Sequence, residues 1–155
     1  MFRSIRSSSG LAAATACVAL AGPIAAAQAS DATIRGTINS TVPKIVKSQA
    51  KVLDGLATYD KTRSAKTLIT AIKTQNGVLK ALKGKLSRES ASSANGAKGK
   101  ADIVNGLGLI VRSNTALAKH LQSGKPLSHA EANTAITQDK KGNDDLNAGG
   151  KLLRV

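Results

Sequence analysis

The chain has 155 residues, with 23 lysines and arginines against 9 acidic residues, and its formal net charge is +14 at pH 7. This length allows one domain. Because Phe2 and Tyr59 are the only aromatic residues, a β-sandwich is disfavoured, and so are carbohydrate and single-stranded nucleic acid sites, which depend on aromatic stacking platforms.

The first 29 residues have the three parts of a secretory signal peptide. Arg3 and Arg6 supply positive charge at its start, residues 10–20 form an apolar run, and residues 27–29 (AQA) are a cleavage site of the A-x-A type. We therefore expect cleavage near Ala29 and a mature protein that is secreted or associated with the cell envelope.

The one cysteine of the chain, Cys17, lies within this segment. Its removal leaves no cysteine for a disulfide, so the mature protein must be stabilised by packing alone. Residues 14–16 lack the leucine typical of a lipoprotein signal, and we expect no lipid at Cys17. An uncleaved membrane anchor is the alternative, but the apolar run is short and is interrupted at Gly22-Pro23. The alanine-rich signal and the cysteine-free mature chain suggest a bacterial exported protein.

The mature chain opens with a predicted helix over about residues 33–59. Its inward-facing positions recur in alternating steps of four and three, the spacing of a helix that packs against other helices. Because Pro43 removes a helical hydrogen bond and clashes with the preceding turn, we expect a kink or a fresh start at Thr41. The repeat comprises Ile38, Val42, Ile45, Gln49, Val52, Leu56 and Tyr59.

A second helix is predicted over about residues 63–87, with Asp60 or Thr62 as its N-cap. It has the clearest repeat of the chain, and the other helices are expected to cover it. Its repeat positions are Leu68, Ile72, Gln75, Leu79, Leu82 and Leu86.

A third helix is predicted over about residues 101–123. The preceding stretch is rich in Ser, Ala and Gly and contains Asn95-Gly96, a turn signal. A longer helix from Ser90 is the alternative. The repeat positions are Ile103, Leu107, Ile110, Asn114, Leu117 and Leu121.

A fourth helix is predicted over about residues 129–148. Ser128 and Glu131 predict a capping box, in which each side chain satisfies a backbone N–H at the start of the helix. Because glycine disfavours helix, this should be the least stable of the four, and residues after Leu146 are expected to fray or form a tail. The repeat positions are Ala132, Ala135, Asp139, Gly142, Leu146, Gly149 and Leu153.

One polar residue interrupts each repeat: Gln49, Gln75, Asn114 and Asp139. In antiparallel helices, residues equidistant from the connecting turn face each other, and the midpoints between these residues fall at the three predicted connections. The pattern therefore predicts an all-α, antiparallel up-down-up-down four-helix bundle with a buried polar layer. We expect the layer to define the register of the helices, with a small-ligand or ion site as the alternative. Asp139 fits least well, and a solvent-facing position is its alternative.

No pattern of catalytic or metal-binding residues is present, so we expect no enzyme, no cofactor and no metal. Glu89 and Glu131 are the only glutamates and do not converge in the predicted bundle. Tyr59, His120 and His129 fall at one end of that bundle. Structural roles for these three residues are favoured over a weak metal or anion site.

The basic residues give the strongest indication of function. Removal of Arg3 and Arg6 lowers the net charge from +14 to +12, still above the roughly 2–8 charges that solubility asks of a small domain. A solvated surface is the simpler explanation, but such a field attracts polyanions. The candidate polyanion-binding residues are Lys44, Lys47, Lys51, Lys66, Lys73, Lys80, Lys83, Arg112 and Lys119.

The leading hypothesis is a non-catalytic exported protein that associates electrostatically with anionic polymers of the envelope or extracellular space. Such binding would be directed at phosphates, without sequence-specific recognition of nucleic acid. One alternative is a small-ligand-binding bundle centred on the polar layer. Another is a helical module that binds a protein partner, which displaces the weak fourth helix. No transmembrane helix is expected in the mature chain, and the sequence leaves the oligomeric state open.

Overall fold

The computed structural model describes residues 29–124 and 128–155, and these residues form helices with no β-strand among them. In chain order the helices are α1 (Ala29–Thr62), α2 (Lys66–Arg88), α3 (Ala94–Ser123) and α4 (His129–Leu153). The predicted all-α class with four helices is therefore confirmed. Residues 1–28 of the predicted signal peptide, with Cys17, and the predicted Pro126-Leu127 connection lie outside the described residues.

Helix α1 continues through Pro43 without a break, so of the two expected effects, a kink or a fresh start at Thr41, the fresh start is wrong. The Thr41 hydroxyl donates to the carbonyl of Thr37 one turn earlier (2.8 Å) and does not cap a new helix. Pro43 is exposed, so its ring lies on the outer surface, where water can satisfy the carbonyl that proline leaves without a donor.

The connection between α1 and α2 lies about three residues later than predicted, because both Asp60 and Thr62 belong to α1. The chain turns at Arg63, which has a left-handed backbone conformation (φ 58°), and α2 begins after Ala65 without a side-chain cap. Close to this turn, a Cβ atom on Gly55 would lie only 2.9 Å from the Cα atom of Leu68. Glycine is therefore needed for the two backbones to approach each other here.

Helix α3 begins at Ala94, about seven residues before the predicted start, and Asn95-Gly96 lies in its first turn. The N-cap is Ser93, whose hydroxyl oxygen accepts from the Gly96 N–H (2.9 Å). The Asp31 carboxylate of α1 then accepts from the Ser93 hydroxyl and from the Ser92 N–H. A residue 62 positions away in sequence thus stabilises the start of this helix, which explains why a turn signal based on neighbouring residues was misleading.

The segment between α2 and α3 is held to α1 by a second set of polar contacts. Thr37 donates its hydroxyl hydrogen to the Glu89 carboxylate, and the Lys100 ammonium donates to the Glu89 carbonyl at 2.7 Å. Lys100, which occupies a core-facing position in the extended α3, thereby turns its charge out of the core.

The hydrophobic core is formed by two clusters of side chains. The second cluster contains residues of α1, α2 and α3 but, among the described residues, none of α4. Consistent with this, the buried residues of α4 begin only at Gly142. The first cluster comprises Ile34, Ile38, Ile45, Leu79, Leu82, Leu86, Ile103, Leu107, Ile110, Val111, Leu146, Leu153 and Val155. The second comprises Val52, Leu68, Ala71, Ile72 and Ala118.

The start of α4 has the predicted capping box, with Ser128 accepting from the Glu131 N–H and Glu131 accepting from the Ser128 N–H. Its end differs from prediction, because the helix continues to Leu153 and both Leu153 and Val155 are buried. The expected fraying after Leu146 is therefore wrong.

Paired glycines explain how the second half of α4 packs. A Cβ atom on Gly106 of α3 would lie 2.5 Å from the carbonyl oxygen of Gly142, and one on Gly149 would lie 2.5 Å from that of Gly99. These contacts bring the two backbones closer than any side chain allows, as small residues do where helices pack tightly. The glycines of α4 thus form part of its contact surface with α3.

Candidate functional site

Positive charge is concentrated on α2. This helix has six basic residues and no acidic residue, whereas α4 has three basic residues and four acidic ones. The electrostatic potential of the molecule is therefore strongly asymmetric, with α2 as the most positive element.

The nine candidate polyanion-binding residues lie on the surface. Eight are exposed, and Lys83 is half-buried. None of the nine is in an ion pair with another described residue, since the pairs within residues 29–124 and 128–155 are Lys98–Asp102 (2.9 Å) and Lys141–Asp145 (3.6 Å). Their charges are therefore available to an external anion.

A groove of about 320 Å³ runs between α1 and α2. Lys44 of α1 and Lys85 of α2 both line it, together with the apolar side chains of Val78 and Leu82. Lys85 was not among the nine candidates. In the sequence, Lys85 lies among the other lysines at the end of the second helix. It does not continue the seven-residue spacing of Lys66, Lys73 and Lys80, so that spacing did not identify it.

Two of the four predicted polar-layer residues are joined directly. The Asn114 side-chain amide donates to the Gln75 side-chain oxygen (3.1 Å) and to that of Asn76 (3.1 Å). Asn76 in turn donates to the Thr115 hydroxyl at 3.2 Å. Asn76 and Thr115 were not predicted to belong to the layer because neither occupies a repeat position, although each directly follows a layer residue.

Gln49 and Asp139 are placed differently. Gln49 is buried, and its side-chain oxygen has no hydrogen-bond partner among the described residues. The Ser113 hydroxyl of α3 donates to the carbonyl of Ala135 on α4 (3.1 Å). Ala135, and not Asp139, is therefore level with the Gln75–Asn114 pair, and Asp139 lies about one turn further along α4.

Asp139 has a distinct environment of its own. One of its carboxylate oxygens accepts from the Asn143 amide (3.5 Å), while its Oδ1 and the Oδ1 of Asn143 are buried without a partner among the described residues. Burial raises the pKa of Asp139 to about 6, because desolvation disfavours the charged carboxylate.

The remaining candidates have ordinary surroundings. Tyr59 packs against the second core cluster, His120 is half-buried near the end of α3, and His129 is the exposed first residue of α4. Within the described residues no three His, Cys, Asp or Glu side chains are grouped closely enough to hold a metal ion. Nor does any helix there have the length and apolarity needed to cross a membrane.

Comparison with known proteins gives no relative: no protein-family model, no curated protein and no solved structure matches the chain. Functional inference therefore rests on the residues and their geometry.

Proposed function

We propose that this chain is an exported, non-catalytic helical-bundle protein that binds anionic polymers of the bacterial envelope or extracellular space. The observation that supports the proposal is the charge of α2, which has six basic residues, no acidic residue and an exposed row of lysines. A field of this strength raises the local concentration of polyanions and accelerates their association.

The proposal includes the predicted signal peptide, with cleavage near Ala29, and the up-down-up-down arrangement of the helices. Support for the arrangement comes from pairs of contacts that run in opposite directions along neighbouring helices. Asn76 bonds Thr115 while Lys83, further along α2, approaches Gly108, which is earlier on α3. Likewise, Gly99 approaches Gly149 and Gly106 approaches Gly142.

Binding would proceed through charge, without recognition of sequence. Lysine ammonium groups act as point charges toward phosphate oxygens, and each contact releases condensed counterions. Helices α2 and α3 have no Phe, Tyr or Trp side chain on which a nucleobase could stack. The expected partner is thus a phosphate-rich polymer, bound more weakly as the salt concentration rises.

The test is the affinity of the purified protein for inorganic polyphosphate across a salt series. In the triple variant Lys66→Gln, Lys73→Gln and Lys80→Gln, the plot of log affinity against log salt concentration should become less steep. Its slope should decrease by about 0.7 for each phosphate that the variant no longer neutralises. The matched control is Lys140→Gln, Lys141→Gln and Lys151→Gln on α4, which removes the same charge from exposed positions and should change binding much less. Absence of binding at low salt would exclude the proposal.

A ligand site at the polar layer has less support, because Asn114, Gln75 and Asn76 use their amide groups to bond one another. Such a network favours a role in helix register. A small molecule that stays bound during purification and is lost in Gln75→Leu would reverse this preference.

A protein partner is the second candidate function. Val46 and Leu53 of α1 and Ile136 of α4 are 42–43% exposed, and the first half of α4 contributes no buried residue. Contiguous exposed apolar patches mark surfaces that another protein covers, whereas scattered single residues are common on any protein. Displacement of α4 by such a partner requires that the chain stay folded without this helix, which urea unfolding of a shortened chain can measure.

A further inference from the structure

Basic residues of α2 and α3 lie at matching levels on the surface that these two helices share. Two contacts define how these helices are aligned: Asn76 bonds Thr115, and the Lys83 ammonium crosses to α3, where it lies 3.0 Å from the position that a Cβ atom on Gly108 would occupy. The segment of α2 between Asn76 and Lys83 therefore lies level with the segment of α3 between Gly108 and Thr115.

Lys80 and Arg112 occupy that interval. Lys80 is four residues after Asn76 and three before Lys83, and Arg112 is four residues after Gly108 and three before Thr115. Residues three and four apart lie on the same face of a helix. Both side chains are exposed, so Lys80 and Arg112 form one pair of cations at the same level of the α2–α3 surface.

A second pair lies one heptad further along. Lys73 is three residues before Asn76, and Lys119 is four residues after Thr115, so they flank the same contact from the other side. Seven residues of helix separate the two pairs by about 10.5 Å. Lys66 continues the row on α2 and Lys83 closes it, which gives a total length of about 25 Å.

No carboxylate on these helices neutralises the row. Helix α2 has no acidic residue, and the single acidic residue of α3, Asp102, is paired with Lys98 at 2.9 Å. The row therefore combines regular spacing with uncompensated charge, two properties that a merely solvated surface does not require.

From this placement we infer that the row of cations on the α2–α3 surface binds a linear polyphosphate-type chain that lies along the helix axes and contacts successive cation pairs. The inference rests on the proposed function and specifies its ligand. A compact anion can reach only one pair at a time. A linear chain with regularly spaced phosphates can contact all of them, and each additional contact adds affinity because it is made within an existing complex.

The first experiment uses the full protein and inorganic polyphosphate of graded length, with extended lengths below, near and above about 25 Å. Affinity per molecule should rise steeply up to that length and then increase only slowly. A linear increase in affinity with phosphate number, without any change near this length, would overturn the inference but leave the proposed function intact.

The second experiment removes one cation pair. Lys80→Gln with Arg112→Gln should weaken binding of long chains by about tenfold or more and shift the length dependence. The control, Lys140→Gln with Lys151→Gln on α4, removes the same charge and should change affinity by less than about twofold. Equal losses in both variants would show that only net charge matters, contrary to the inference.

Two further outcomes distinguish a failure of the proposed function from a failure of the linear-chain inference. If the unmodified protein binds no polyphosphate of any length at low salt, the proposed function itself is wrong. If vesicles of anionic lipid bind more tightly than long polyphosphate at equal phosphate concentration, a membrane surface is the better ligand and the linear-chain inference is overturned. Circular dichroism of each variant verifies that these exposed substitutions leave the helices intact.

Discussion

Two aspartates show how position alone sets the pKa of the same side chain. The pKa of Asp31 is lowered by the hydrogen bond from the Ser93 hydroxyl and by that from the Ser92 N–H. Its contribution to stability is therefore present above the unfolded-state pKa and is lost as the pH falls through the lowered folded-state value. The pKa of Asp139 is raised to about 6 by burial. Its effect has the opposite sign: the stabilisation is present below the unfolded-state pKa and is lost as the pH rises through 6.

We predict that Asp139→Asn makes the protein more stable at pH 7. The charged carboxylate is partly desolvated there, so its removal should raise the free energy of unfolding by about 1 kcal/mol, a value reduced by solvent screening. Urea denaturation from pH 4 to 7 should show a flatter profile for the variant than for the unmodified protein. Asp144→Asn, which makes the same charge change at an exposed position of α4, is the control. An unchanged profile in Asp139→Asn would contradict the assignment.

At the level of helices, the packing of α3 against α4 depends on backbone contact between paired glycines. Helix propensity alone predicts that Gly142 and Gly149 weaken α4. Their tertiary role is different, because a Cβ at either position would collide with the backbone of α3. The cost that glycine imposes on helix formation is thus offset by a closer approach of the two helices. The same close packing explains why α4 continues to Leu153.

We predict opposite effects for the same substitution at two glycines. Gly106→Ala should lower the free energy of unfolding by about 1–3 kcal/mol, since its Cβ would lie 2.5 Å from a backbone oxygen that cannot move aside. Gly36→Ala should raise it by about 0.5–1 kcal/mol, because nothing lies within 4 Å and alanine favours helix. Thermal or urea unfolding of both variants measures the difference. A stabilised Gly106→Ala protein would show that the α3–α4 contact is looser than described.

For the whole molecule, the core depends on α4 although this helix is covered over only half its length. Leu146 and Leu153 are about 1% exposed, and both belong to the cluster that joins all four helices. The first half of α4 contributes little to the core, so the molecule is closed by four helices at one end and by three at the other.

We predict that a chain ending at residue 125 does not fold cooperatively. Loss of α4 would expose Ile103, Leu107 and Ile110 together with the glycine backbone of α3, and each large core side chain contributes about 2–5 kcal/mol. That loss is comparable with the entire stability of a small domain. Urea unfolding followed by circular dichroism tests this expectation, with Ile136→Ala as a mild control at an exposed position of α4. A cooperative transition in the shortened chain would instead favour a partner that displaces α4.

Local patterns in the sequence were sufficient for several features of this protein. The alternating spacing of apolar residues identified all four helices, because burial of one helical face imposes that period on any packed helix. The capping box at Ser128 and Glu131 was predictable, since both partners lie within one turn. The concentration of charge on α2 follows from composition and helix bounds alone.

Other features depend on contacts between residues far apart in sequence, and only the tertiary structure determined them. Asp31 moves the start of α3 to Ala94, and the approach of α3 turns the glycines of α4 into a packing surface. The alignment of α3 and α4 places Ala135, and not Asp139, beside the Asn114 network. Likewise, the sequence shows that Lys80 and Arg112 are basic and exposed, but only the contacts of Asn76 and Lys83 with α3 place them opposite each other. The physical reason is the same throughout: hydrogen bonds and backbone packing act at distances of a few ångströms, and these distances are set by the fold.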